Sequence, residues 1–92
     1  MKWTIEMKTE TGRVDRLQAW VNNRLKIDVA STKATSNAIP RTRPVSLDFR
    51  AEGAPGSKVS VRVTETATKK SILSTTYTVT AGGAFDRGRT IA

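Results

Sequence analysis

Eight carboxylates carry most of the acid and base chemistry open to this chain: Glu6, Glu10, Asp15, Asp28, Asp48, Glu52, Glu65 and Asp86. Histidine and cysteine are absent, which removes the commonest general base, the commonest metal ligand and every thiolate nucleophile. Catalysis would have to rest on carboxylates, Lys or Tyr. A glycosidase-type mechanism needs two carboxyls facing each other across a cleft, and 92 residues leave little material to build one. Glu6, Asp28 and Asp48 fall on the outward positions of alternating segments, where acids balance neighbouring Lys and Arg. The D-x-[DN]-x-[DN]-G spacing of a hard-cation loop is missing. The expectation is a protein that is not an enzyme and that needs no cofactor and no metal.

Two further stretches invite a chemical reading. Gly53-Ala54-Pro55-Gly56-Ser57-Lys58 has the composition of a phosphate-binding loop, but that loop requires G-x-x-x-x-G-K-[ST] opening a helix. Here the spacing is short, Ser precedes Lys, and a valine-rich alternating run follows, so the stretch reads as a hairpin turn. Lys33, Arg41 and Arg43 form a basic cluster with no nearby acid, and they are the candidate contact for nucleic acid or another polyanion. The aromatic interleaving that single-strand binders use for base stacking is missing around them.

Trp20 is the third candidate. If its segment is a strand, Trp20 points with Arg16 and Gln18, away from Leu17, Ala19 and Val21. An aromatic ring on a polar face is a platform for a sugar ring or a nucleobase. Arg16, Gln18 and Trp20 are therefore the candidate glycan or partner contact. The alternative is that Trp20 packs under a loop or into the core.

Such residues can act only if the chain holds them in place, and its dominant pattern is period-two alternation. Val45, Leu47 and Phe49 alternate with Ser46, Asp48 and Arg50. Val59, Val61 and Val63 alternate with Ser60, Arg62 and Thr64, and Leu73, Thr75, Tyr77 and Val79 with Ser74, Thr76 and Thr78. Alternation rich in β-branched residues, bounded by Gly, Pro and charged turns, predicts half-buried antiparallel strands. Lys2 to Lys8 repeats the pattern with Trp3, Ile5 and Met7 on one face, and Gly12 follows in a turn that suits positive φ. Leu25, Ile27 and Val29 form another strand.

Two segments stay open. Over 13–24, Val14, Leu17, Val21 and Leu25 also fit a helical stripe, while a strand ending in an Asn22-Asn23 hairpin turn is the shorter explanation. Ala30 to Arg43 reads as a long basic loop, or as an edge strand near Thr35 to Ile39. A last strand from Phe85 to Ile91 alternates poorly, with Arg87 and Arg89 on the side of Phe85, and Gly88 suggests a bulge or a second turn.

The formal charge is +8, from sixteen Lys and Arg against eight acids, which favours polyanionic partners without choosing among them. No apolar run approaches the roughly 18 residues of a membrane span, so no membrane insertion is expected. Met1-Lys2-Trp3-Thr4 lacks the apolar core of a signal peptide. Absence of cysteine fits the cytosol and the exterior equally.

From Val45 onward, the run of alternating strand, Gly-Ala-Pro-Gly-Ser turn, Lys58-Val-Ser-Val-Arg-Val63, Thr-Tyr-Thr-Val79 and Gly-Gly-Ala-Phe85 resembles immunoglobulin-like and fibronectin-type β-sandwich modules. The likeness covers about half the chain and departs from true immunoglobulin domains in lacking both cysteines of the inter-sheet bridge. It implies a non-catalytic appendage of the kind found on secreted enzymes, adhesins and phage structural proteins. The expected fold is one all-β domain over 1–92, an antiparallel sandwich of about seven strands. Its inner faces would carry Ile5, Leu25, Ile27, Leu47, Phe49, Val59, Val61, Val63, Leu73, Tyr77 and Val79. The alternative is a small five-stranded barrel with one helix at 13–24. The expected function is an interaction or structural module that binds a protein partner or itself through strand edges or loops, with polyanion and glycan binding as alternatives.

Overall fold

The computed structural model describes residues 2–30, 34–40 and 44–91. Among them there are eight strands and no helix: β1 (Lys2–Thr11), β2 (Val14–Val21), β3 (Arg24–Ala30), β4 (Ala34–Pro40), β5 (Val45–Gly53), β6 (Lys58–Glu65), β7 (Ser71–Thr78) and β8 (Ala84–Ile91). They form two four-stranded antiparallel sheets, ordered β4-β1-β6-β7 and β3-β2-β5-β8. The all-β, sandwich-like expectation holds at this level. The barrel with a helix at 13–24 does not, and the count is eight strands rather than seven.

The segment at 13–24 is a strand because its turn chemistry is decisive. Asn22 and Asn23 both adopt positive φ, 50° and 65°, the left-handed pair that a two-residue hairpin demands and that Asn tolerates better than most residues. The Asn22 amide donates to Ser46 O at 2.8 Å, and its side-chain oxygen accepts from the Ser46 amide at 3.0 Å. This ties the hairpin to β5. The helical stripe loses because only a strand puts Leu17, Ala19 and Val21 together on the core side.

The extra strand is β4, which lies inside the stretch whose first reading was a loop. It pairs with β1 from Lys2↔Pro40 to Lys8↔Ala34. Its residues ATSNAIP show one strong core signal, Ile39, which is buried. Gly88, expected at a bulge or turn, sits instead in an unbroken register between β5 and β8, opposite Asp48.

The core fills from both sheets. Trp3, Ile5, Met7, Val59, Val61 and Val63 descend from β1 and β6, and Leu17, Ala19, Val21, Leu47, Phe49 and Ala51 rise from β2 and β5. Each large side chain so buried contributes roughly 1.5–3 kcal/mol before chain entropy is subtracted. Leu25 is a correction: expected inside, it is 48% exposed. A register shift between Ala19 and Trp20 places Leu25 opposite Trp20 rather than in line with buried Ile27, and a bulge of this kind changes which face a side chain reaches. Tyr77 is only half-buried, and it bridges Phe49 and Phe85 at ring separations of 6.2 and 5.3 Å.

Where β1 crosses to β2 and β5 crosses to β6, the two corners are clamped by Ser57, the one buried polar residue among those described. Its hydroxyl donates to Arg13 O and accepts from the Arg13 amide, each at 3.0 Å. Gly12, at φ +80°, lies so close that a Cβ there would collide with Ser57, and a Cβ on Gly53 would strike Arg13 O. The corner therefore needs glycine for both backbone conformation and space.

Two outcomes follow from this packing. Val61→Asp puts an unpaired charge in the driest layer and should abolish the cooperative thermal transition; a normal melt would refute the strand assignment. Ser57→Ala leaves the Arg13 amide without its hydroxyl acceptor, while the Arg13 carbonyl keeps the Ala54 amide at 2.9 Å, and should cost about 1–3 kcal/mol in urea unfolding, with no cost if the corner is held by turn geometry alone.

Candidate functional site: the outer face of the β3-β2-β5-β8 sheet

The outward positions of β2 are Arg16, Gln18 and Trp20, and register places them beside Asp28 and Leu25 of β3 and beside Glu52, Arg50 and Asp48 of β5. All three residues singled out from the sequence therefore share one solvent-facing surface. Their roles differ. Arg16 is committed to Asp28 through a two-pronged pair, Nε to Oδ1 at 2.8 Å and Nη2 to Oδ2 at 2.9 Å, and the Gln18 amide adds a bond to Asp28 Oδ1 at 3.3 Å. These groups hold one another and frame the β2–β3 end of the face. Planar guanidinium–carboxylate geometry makes this the best-formed surface pair described.

Trp20 lies at the middle. It is half-buried on the sheet surface, flanked across β3 by exposed Leu25, and the Arg50 guanidinium stands over its ring at 5.7 Å from the centroid. A cation over an indole face is attracted by the ring quadrupole, so Arg50 is oriented by two partners at once: Trp20, and the Asp86 carboxylate at 3.1 Å. Neither Arg50 nor Asp86 was singled out from the sequence as a member of this surface. Alternation marks both as outward-facing, but only strand order makes β8 the neighbour of β5.

Beyond Trp20, the face turns acidic. Asp48 pairs with Trp20 on one side and with Gly88 on the other, so no side chain stands beside it on β8. The Asp48 and Asp86 carboxyls interact across the β5–β8 pair. Partial burial, then the bond to Asp86 and the repulsion of its charge, push Asp48 above the ordinary carboxylate value. The bond from Asp48 and the Arg50 guanidinium hold Asp86 below it. Asp48 therefore takes up its proton at a higher pH than an isolated carboxyl would, and Asp86 at a lower one.

Lys33, Arg41 and Arg43, the basic cluster of the sequence reading, lie outside the described residues. The opposite sheet carries two open hollows on its outer face. One of about 410 Å³ is lined by Glu6, Lys8, Glu10 and Ser60 among others, and one of about 270 Å³ by Thr4, Arg62, Thr64 and Lys69 among others. Among the described residues no group of three or more potential ligands is placed to hold a metal ion, and no helix is long and apolar enough to cross a membrane. No family model, curated protein or solved structure matches this chain.

The raised Asp48 titration has a measurable consequence. Because folding raises the Asp48 titration, the native chain holds a proton there that the unfolded chain has released, so stability falls as pH rises through that interval and returns as pH falls. Asp86, held low, acts oppositely: its contribution is present above its ordinary value and is lost as pH falls through the lowered one. Asp48→Asn keeps a donor for Asp86 without the second charge. It should stabilise the protein at about pH 7 by up to about 1 kcal/mol, and the gain should shrink at about pH 4 as wild-type Asp48 takes up its own proton. Equal melting-temperature differences at both pH values would break the account.

Proposed function

We propose that this protein is a non-catalytic interaction module whose contact surface is the outer face of the β3-β2-β5-β8 sheet, centred on Trp20, and that its partner is a protein, a second copy included. The observation that carries the reading is the grouping of Trp20, Leu25 and Arg50 within a rim of charged groups that are already paired to one another. Trp and Arg dominate binding energy at protein interfaces when they sit centrally within a polar rim. Here the ring is prepaid in orientation by Arg50, and Leu25 is the one large apolar side chain left exposed among the described residues. An immunoglobulin-like relationship belongs to this proposal at the level of architecture, supported by two antiparallel sheets closed over one apolar core.

Glycan binding is the second reading, favoured by the carboxyls of Asp48 and Asp86 beside the indole, since a ring face with adjacent acceptors suits a pyranose. Polyanion binding rests on the +8 charge and on Lys33, Arg41 and Arg43.

The test is binding by wild type and by Trp20→Ala, a variant expected to melt like the wild type because the ring lies on the outer face. Protein capture from extract, confirmed with the purified partner and weakened about 30-fold or more by Trp20→Ala, supports the proposal; a central interface Trp is worth at least 2 kcal/mol. Sedimentation covers the self-pairing case. Glycan-array signals lost with Trp20→Ala would move the assignment to sugar, and oligonucleotide binding that persists at physiological salt would move it to polyanions. Capture unaffected by Trp20→Ala would sink the surface assigned here.

A further inference from the structure

The β3-β2-β5-β8 sheet ends at β8, whose end residues Phe85 and Ile91 pack on the core while the stretch between them does not. Phe85 is buried, packed against Tyr77 of β7, but the next two residues on the same side of β8 are charged. Register sets Arg87 opposite Phe49 and Arg89 opposite Leu47, both core residues, yet Asp86 through Thr90 are exposed without a break. The other side of the strand carries Asp86, Gly88 and Thr90. Arg87 and Arg89 take part in none of the described ion pairs, which join Arg13 to Asp15, Arg16 to Asp28 and Arg50 to Asp86.

We propose that the free edge of β8 takes up an extended acidic peptide as a fifth strand, with carboxylates at alternate positions matched to Arg87 and Arg89. This is a second site, independent of the Trp20 surface. An outermost strand offers unpaired backbone donors and acceptors to an incoming chain. What selects the occupant is charge. A second copy adding its own β8 would set Arg87 and Arg89 near the same arginines, and like charges across a strand pair are destabilising. Inward-facing charges of this kind are a device against self-pairing, and the same pair is complementary to a chain with acid at every second residue. The outward side narrows the choice further. Asp86 repels a uniformly acidic strand, while Gly88 leaves room for neutral side chains, so the partner alternates acidic with uncharged residues.

The probe is a fluorescein-labelled peptide alternating Glu and Thr, followed by anisotropy at physiological salt. Three controls accompany it: a peptide of the same composition with its Glu residues contiguous, the alternating peptide N-methylated along one backbone edge, and polyglutamate. The expected result is saturable binding of the alternating peptide, weakened about tenfold or more in Arg87→Glu/Arg89→Glu. Arg87→Lys/Arg89→Lys should retain most of it, and Trp20→Ala should leave it unchanged. Both arginines are exposed, so the charge-reversed chain should melt cooperatively. If it does not, Arg87→Ala/Arg89→Ala provides the comparison. The N-methylated peptide should not bind, because its charge is intact but its ladder is blocked. Absence of binding, equal binding of the contiguous peptide or of polyglutamate, or indifference to the charge reversal would overturn the proposal. So would a concentration-dependent dimer that excludes the peptide, since a second copy would then occupy the edge.

Discussion

With no cysteine to cross-link the chain, the association of the two sheets depends on excluding water from the layer between them. That layer is built mainly by the four inner strands. β1 and β6 contribute Trp3, Ile5, Met7, Val59, Val61 and Val63, while β2 and β5 contribute Leu17, Ala19, Val21, Leu47, Phe49 and Ala51, all essentially inaccessible to solvent. Each of these strands has a hydrogen-bonded neighbour on both sides, so its backbone groups are satisfied within the sheet and its alternation is unbroken. Everything on the outer faces is a consequence. Once Leu17, Ala19 and Val21 are committed inward, Arg16, Gln18 and Trp20 have no choice but to face out together.

At the outer strands this constraint relaxes, and the chemistry of the surface appears where it does. β4 retains Ile39 as a core anchor and is joined to β3 of the other sheet by the Asn37 side chain, which donates to Lys26 O at 2.6 Å. That side of the sandwich is thus bridged by a polar contact. The opposite side is anchored at the two ends of β8, by Tyr77 against Phe85 and by Ile91 packed on the core, while the inward positions between them pass to arginine. The sandwich is bridged at β3 and β4, and along β8 it leaves the stretch from Asp86 to Thr90 exposed.

The outer face of the β3-β2-β5-β8 sheet gains its order from electrostatics rather than from burial. Exposed ion pairs are individually weak, yet here they share members: Arg50 serves both Trp20 and Asp86, and Asp86 serves both Arg50 and Asp48. Their worth is in fixing side-chain direction, because a group with two partners has fewer rotamers to lose when something binds. The corner at Ser57 does comparable work for the backbone, linking two chain crossings through one hydroxyl.

The linear sequence determined whatever depends on near neighbours in the chain. Alternation assigned the inner faces of β1, β5 and β6 and offered the same for β2 as one of two readings, with the Asn22-Asn23 pair suited to a hairpin turn and Trp20 outward with Arg16 and Gln18 if that strand formed. Tertiary structure alone decided which strands lie side by side, because a period of two reports a face and is silent about the neighbour. The pairing of β4 with β1, the meeting of Asp48 with Asp86 and the placing of Arg50 over Trp20 all rest on such long-range choices. Leu25 shows the same limit from the other direction: its apolar character and spacing pointed inward, and a single register shift beside Trp20 turned it to solvent. In β8 the weak alternation was legible, but its cause was not. Arg87 and Arg89 are tolerated on the core side because β8 is the outermost described strand of its sheet and both stay exposed there.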